Sequence, residues 1–164
     1  MKKPLNDLKK YKTGVLKNKI KYILIEESDI NNSSVTVMVK AGSYHAPKGY
    51  DGLAHFLEHM LFKGNRSLKT QLRITNNLDK MGSEYNAYTT KNMTCYHISV
   101  ASKYATRAFK TYSNMLLHST LKQKEMRKEQ RVVVEEFNKM MDNPMATSVE
   151  LSIKEIFEDH PLGQ

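Results

Sequence analysis

His55-Phe56-Leu57-Glu58-His59 sets two histidines four residues apart, with a glutamate directly before the second. On a helix, positions i, i+3 and i+4 fall on one face. Both imidazoles can therefore meet one metal ion, with the Glu58 carboxylate leaning over it. The stretch follows Gly49-Tyr50-Asp51-Gly52, a turn-rich helix entry, and stops at Gly64. Phe56, Leu57, Met60, Leu61 and Phe62 make the surrounding helix largely apolar and predict that it is buried. Imidazoles and a carboxylate are costly to bury without partners, and a metal ion would provide one.

Outward from this helix the elements alternate. Thr13–Leu16 and Ile20–Ile25 read as a hairpin around Lys17-Asn18-Lys19, and Asp29–Ser34 as a polar loop. Val35, Val37 and Val39 alternate with polar or flexible partners in a third strand ending near Ala41-Gly42. The motif helix covers Leu53–Phe62. A second helix covers Leu68–Met81, with Thr70 as a cap and Leu72, Ile74, Leu78 and Met81 on its inner side. Gly82–Thr89 and Met93–Val100 read as two strands around a short turn. Lys103–His118 has helical spacing at Tyr104, Ala108, Phe109, Tyr112, Met115 and Leu116. A long helix over Lys122–Met141 ends at Asp142-Asn143-Pro144, and a last one covers Ala146–Phe157. Strands and helices in this order predict an α+β fold, with helices layered on a mainly antiparallel or mixed sheet.

Composition narrows the possibilities. Of the 164 residues, 40% are hydrophobic and only seven are glycine and four proline, as expected of one globular domain. No run approaches the roughly 18 apolar residues of a membrane span. A single cysteine, Cys95, rules out an intrachain disulfide and a thiolate zinc cluster. The net charge of +9 is concentrated at the start, where residues 1–25 hold eight lysines and one acid. The other 18 basic and 16 acidic residues nearly cancel. The surplus therefore reads as a solvated, flexible lysine-rich arm over residues 1–12, with no nucleic-acid partner expected. A nucleic-acid module would instead show salt-sensitive RNA binding that is lost with that arm. The opening residues lack the apolar core of a secretory signal and the arginines of a transit peptide, which predicts a cytoplasmic location.

Two histidines do not make a catalytic metal site; a third protein ligand is required. His45, His97 and His118 are candidates, as are the glutamates of the long helix. Glu129 and Glu136 are seven residues apart and share a helix face, while Glu135 points about 100° away from Glu136. Glu136 follows Val132 and Val133 at helical spacing, which predicts that it faces the packed side. On these grounds alone Glu129 and Glu136 remain rivals.

Four stretches together resemble one family, the insulinase/pitrilysin-type zinc metallopeptidases, whose H-x-x-E-H order marks an inverzincin. They are Gly52–Gly64, then Gly82-Ser83-Glu84-Tyr85-Asn86-Ala87-Tyr88-Thr89, then Glu129 through Glu136, and finally His160-Pro161-Leu162-Gly163. The resemblance covers nearly the whole chain. It implies one zinc ion held by His55, His59 and Glu136, with Glu58 as general base and Glu129 supporting the site. It further implies that Asn86, Ala87 and Tyr88 form the edge strand on which a peptide substrate lies. Asn65 stands where threonine is more usual, and Lys19 where the first hairpin often has glycine, which suggests a different turn.

The implied activity is that of a zinc-dependent endopeptidase, hydrolysing peptide or unfolded polypeptide substrates with a zinc-activated water. Residues 1–164 would be the N-terminal domain, incomplete at its C-terminal end. A homologous C-terminal half or partner subunit would then be needed to close over the zinc. A non-catalytic relative would have lost ligands or the base, whereas all four groups are present here.

Overall fold

A computed structural model describes residues 11–27, 29–158 and 160–163. Among the described residues the chain divides into two compact units, with the boundary between Asn32 and Ser33. In the first, strands β1 (Tyr11–Val15) and β2 (Lys21–Ile25) pair antiparallel from Tyr11↔Ile25 to Val15↔Lys21. Tyr11 and Lys12, the end of the expected arm, are thus part of a strand; residues 1–10 lie outside the described residues. The turn closes through Leu16 N–H to Ile20 O and Lys19 N–H to Leu16 O, both 2.8 Å. Lys19 has φ +69°. Lysine here adopts the left-handed conformation that glycine takes without steric cost.

The second unit contains a three-stranded sheet in the order β3-β5-β4. Its strands are β3 (Asn32–Val39), β4 (Glu84–Thr89) and β5 (Thr94–Ala101). β4 and β5 pair antiparallel from Glu84↔Ser99 to Thr89↔Thr94. Ser33 meets Ser102 and the Thr94 hydroxyl bonds Ala41 O, so β3 also runs antiparallel to β5. Those serine contacts explain why β3 begins at Asn32, inside the stretch expected to be loop. Polar Ser33 and Ser34 find cross-strand partners in Ser102 and Ser99.

Helices α1 (Leu53–Leu61), α2 (Gln71–Asp79), α3 (Ala105–His118), α4 (Gln123–Met141) and α5 (Pro144–Phe157) complete the unit. The Thr70 hydroxyl accepts from Arg73 N–H, so α2 starts at this cap and not at Leu68. Asn143 caps α5, accepting from Met145 and Ala146 N–H, with Pro144 at the first helical position.

β5 is buried along most of its length, and α1 and α3 pack against it. The core joins Leu61, Ile74, Leu78, Met81, Tyr96, Ile98, Val100, Ala108, Tyr112 and Met115. Two expected core residues are outside it: Leu72 and Phe109 are exposed. Leu72 lies about 200° around the helix from Ile74, on the opposite side, and Phe109, about 100° from Ala108, falls at the edge of the buried face. Among the described residues, no helix is long and apolar enough to cross a membrane.

Candidate metal centre

α1 starts where Gly52, at φ +80°, turns the chain into the helix without a side-chain cap. That start phases His55, Glu58 and His59 onto one face. Met60 and Leu61 are buried behind them, whereas Leu57 is exposed, so the motif helix is buried on one face only. The helix lies against β4, β5 and α4.

The His55 and His59 Nε2 atoms are 3.0 Å apart, with their rings nearly perpendicular. Glu136 Oε2, from the C-terminal half of α4, sits 3.4 Å from His59 Nε2 and 3.6 Å from His55 Nε2. Donor atoms of these three residues lie within 4.8 Å of one another, the one such potential metal-ligand group among the described residues. At zinc–nitrogen and zinc–oxygen distances of roughly 2.0–2.1 Å, two ligands of a tetrahedral ion stand about 3.3–3.4 Å apart. The observed triangle brackets that edge. Two imidazoles and one carboxylate also leave a fourth position open, so the donor set fits a zinc ion.

Glu136 is half exposed, contrary to the expectation that it faces a packed surface. The C-terminal half of α4 is solvated, and Val132 and Val134 are exposed as well. The carboxylate is placed by the helix axis and not by packing around it. None of His45, His97 and His118 belongs to the cluster.

Glu129 approaches the other side of the same imidazole. Its Oε1 lies 2.9 Å from His59 Nδ1, and its Oε2 lies 2.6 Å from Lys63 Nζ. The rivals thus both reach His59, on opposite ring nitrogens. With the Nδ1 proton donated to Glu129, the Nε2 lone pair is left facing His55 and Glu136. Glu129 is buried, which by itself raises its pKa. The hydrogen bonds from Lys63 and His59 and the Lys63 charge outweigh burial, holding the carboxyl below the usual range.

Glu58 is buried and accepts a 2.5 Å hydrogen bond from Thr89 Oγ1 at Oε2. No donor among the described residues reaches its other oxygen. Burial, with the nearby Glu58 charge, pushes the Tyr96 phenol above its ordinary range, so Tyr96 stays neutral beside the carboxylate. Thr89 ends β4, the strand carrying Asn86, Ala87 and Tyr88. Among the described residues β4 pairs only with β5, so its outer edge is open. Ala87 N–H is taken by Asn86 Oδ1 at 2.9 Å, and Asn86 and Tyr88 alternate outward.

Lys63 and Thr89 were not singled out from sequence. Lys63 had a readable signal, a lysine one helical turn beyond a candidate ligand at the end of an apolar helix. Thr89 had none, because its contact with Glu58 spans 31 residues. The last matching stretch forms a short turn, Pro161–Gly163, close to the Ser43–His45 turn.

A profile described as Insulinase (Peptidase family M16) matches residues 22–164. An uncharacterized zinc protease of Bacillus subtilis, YmxG, is 34% identical over 146 residues, covering 89% of this chain and 36% of the relative. The human mitochondrial-processing peptidase subunit beta is 33% identical over 118 residues, 72% of this chain and 24% of that one. A protease from Helicobacter pylori superposes with a TM-score of 0.88 at 26% identity, over 95% of this chain and 38% of its own. An inactive peptidase M16 domain from Pseudomonas fluorescens shares the fold at a TM-score of 0.84 and 17% identity. The chain spans little more than a third of the length of the bacterial relatives.

Proposed function

The chain belongs to the insulinase family of peptidases, family M16, and from that premise we propose that it carries the zinc site of an endopeptidase acting on peptide or unfolded polypeptide substrates. The observation that carries this reading is the convergence of His55 Nε2, His59 Nε2 and Glu136 Oε2. These three residues would hold one zinc ion. When bound, zinc supplies a Lewis acid for a peptide carbonyl and brings the pKa of water toward neutrality.

In this reading Glu58 holds no metal. Thr89 occupies one of its oxygens, and the other is open to take a proton from the attacking water and return it to the leaving amine nitrogen. Glu129 keeps the His59 ring in one tautomer and orientation. The open β4 edge suits an extended peptide added as a further strand, bound through its main chain with little demand on sequence. To bond there, a peptide carbonyl must displace the Asn86 side chain from Ala87 N–H.

A homologous second half, on the same chain or a partner, completes the enzyme in this proposal; residues 1–164 alone bind zinc but cleave poorly. The test is Glu58→Gln in the completed enzyme. Zinc content stays at one ion while turnover falls by roughly 10²–10⁴, the usual range for a general base. Undiminished turnover refutes the role of Glu58, and vigorous proteolysis by residues 1–164 alone refutes the need for a second half.

A further inference from the structure

Lys63 follows the end of α1, one turn beyond His59, and its side chain is only 14% exposed. Its ammonium is 2.6 Å from Glu129 Oε2 and donates to Gln71 Oε1 at 3.2 Å. Glu129 is buried and divides its two oxygens between Lys63 and His59. With one oxygen held by Lys63, the carboxylate plane is set and the other oxygen is presented to Nδ1. The same ion pair ties the end of α1 to α4, two turns before Glu136. Because Glu136 is half exposed and has little packing around it, the position of its carboxylate depends on how α4 is docked.

We propose that Lys63 is a positioning residue of the metal site: through Glu129 it orients His59, and by docking α4 on α1 it brings Glu136 to the two imidazoles. This rests on the zinc reading above. The polar partners of the Lys63 ammonium are Glu129 and Gln71, and none of His55, His59 and Glu136 is among them. Its effect belongs to metal affinity and coordination geometry, which can be read without catalysis.

The test uses the full chain with Zn2+ affinity from chelator competition and Co2+ absorption as a signature of coordination. Circular dichroism verifies the fold of each variant. Lys63→Met is expected to weaken zinc roughly 10–100-fold, the range for residues that orient a ligand, and to alter the Co2+ bands. Lys63→Arg, which keeps the charge and the donor, is expected to restore affinity to within about threefold. Glu129→Gln supplies an independent arm. In that background Lys63→Met should add little, because the carboxylate it holds is gone.

Unchanged affinity in Lys63→Met overturns the inference, as does a further tenfold loss in the Glu129→Gln background. If Lys63→Met fails to fold, the same comparison is made with Lys63→Gln. Wild-type chain that binds no zinc, or binds it equally well after His59→Ala, refutes the zinc reading itself. The two failures are therefore distinguishable.

Discussion

Replacing Glu136 by alanine tests the site where the structure is most specific. The carboxylate is half exposed, and its near neighbours are the two histidine nitrogens at 3.4 and 3.6 Å. The metal-free fold should therefore hardly notice its loss, with a change within about 0.5 kcal/mol. Zinc affinity should change greatly. Four-ligand structural zinc sites are worth about 10–16 kcal/mol, or roughly 2.5–4 kcal/mol per ligand. Because water can replace a ligand on this exposed side, the lower end applies, close to 100-fold. At zinc a hundred times the wild-type Kd, bound metal stabilises the native chain by about 2.7 kcal/mol; a 100-fold weaker variant retains about 0.4 kcal/mol. Urea unfolding with and without zinc, joined to chelator competition, measures both quantities. Glu135→Ala, about 100° around the helix, should match wild type in each. Zinc lost in Glu135→Ala but kept in Glu136→Ala would refute the assignment and move the ligand by one position.

Thr89→Val keeps the shape but removes the donor to buried Glu58, and should lower stability by about 1.5–3 kcal/mol. Thr89→Ser should recover most of that, and an unmoved urea midpoint for the valine variant would count against a significant bond. Gly64 has φ +143°, and an added Cβ would stand 2.7 Å from Lys69 O. Gly64→Ala should accordingly cost about 1–3 kcal/mol, and a neutral thermal melt would contradict that strain. Lys19→Gly relieves a left-handed lysine and should slow exchange of the hairpin amides about fivefold, for roughly 1 kcal/mol; faster exchange would show that glycine's entropy prevails. Leu78, fully buried, should lose about 3–5 kcal/mol on truncation to alanine, read as a shift in the urea midpoint.

Much of the fold was legible because its signals are local. The motif helix, the β4–β5 hairpin, the Thr70 cap and the end of α4 all lie within a residue or two of where periodicity and capping chemistry put them. Core membership was less secure at helix edges. Leu72 and Phe109 are apolar and stand one or two residues from core positions, yet their angular positions carry them into solvent. The start of β3 was hidden for the opposite reason. Ser33 and Ser34 look like loop residues until Ser102 and Ser99, more than sixty positions away, come to pair with them.

The metal centre divides in the same way. Spacing of four and one along a helix is a property of the chain, so the grouping of His55, Glu58 and His59 needed no tertiary information. The choice between Glu129 and Glu136 did. Residues seven apart share a helix face but stand about 10.5 Å apart along its axis, and nothing local says which end meets the histidines. The docking of α4 on α1 separates them, setting Glu136 at the Nε2 side of His59 and Glu129, with Lys63, at Nδ1. Sequence alone determined which helix could grip a metal. The packing of a second helix across it determined which carboxylate faces the histidine nitrogens that converge and which one holds a ring in place.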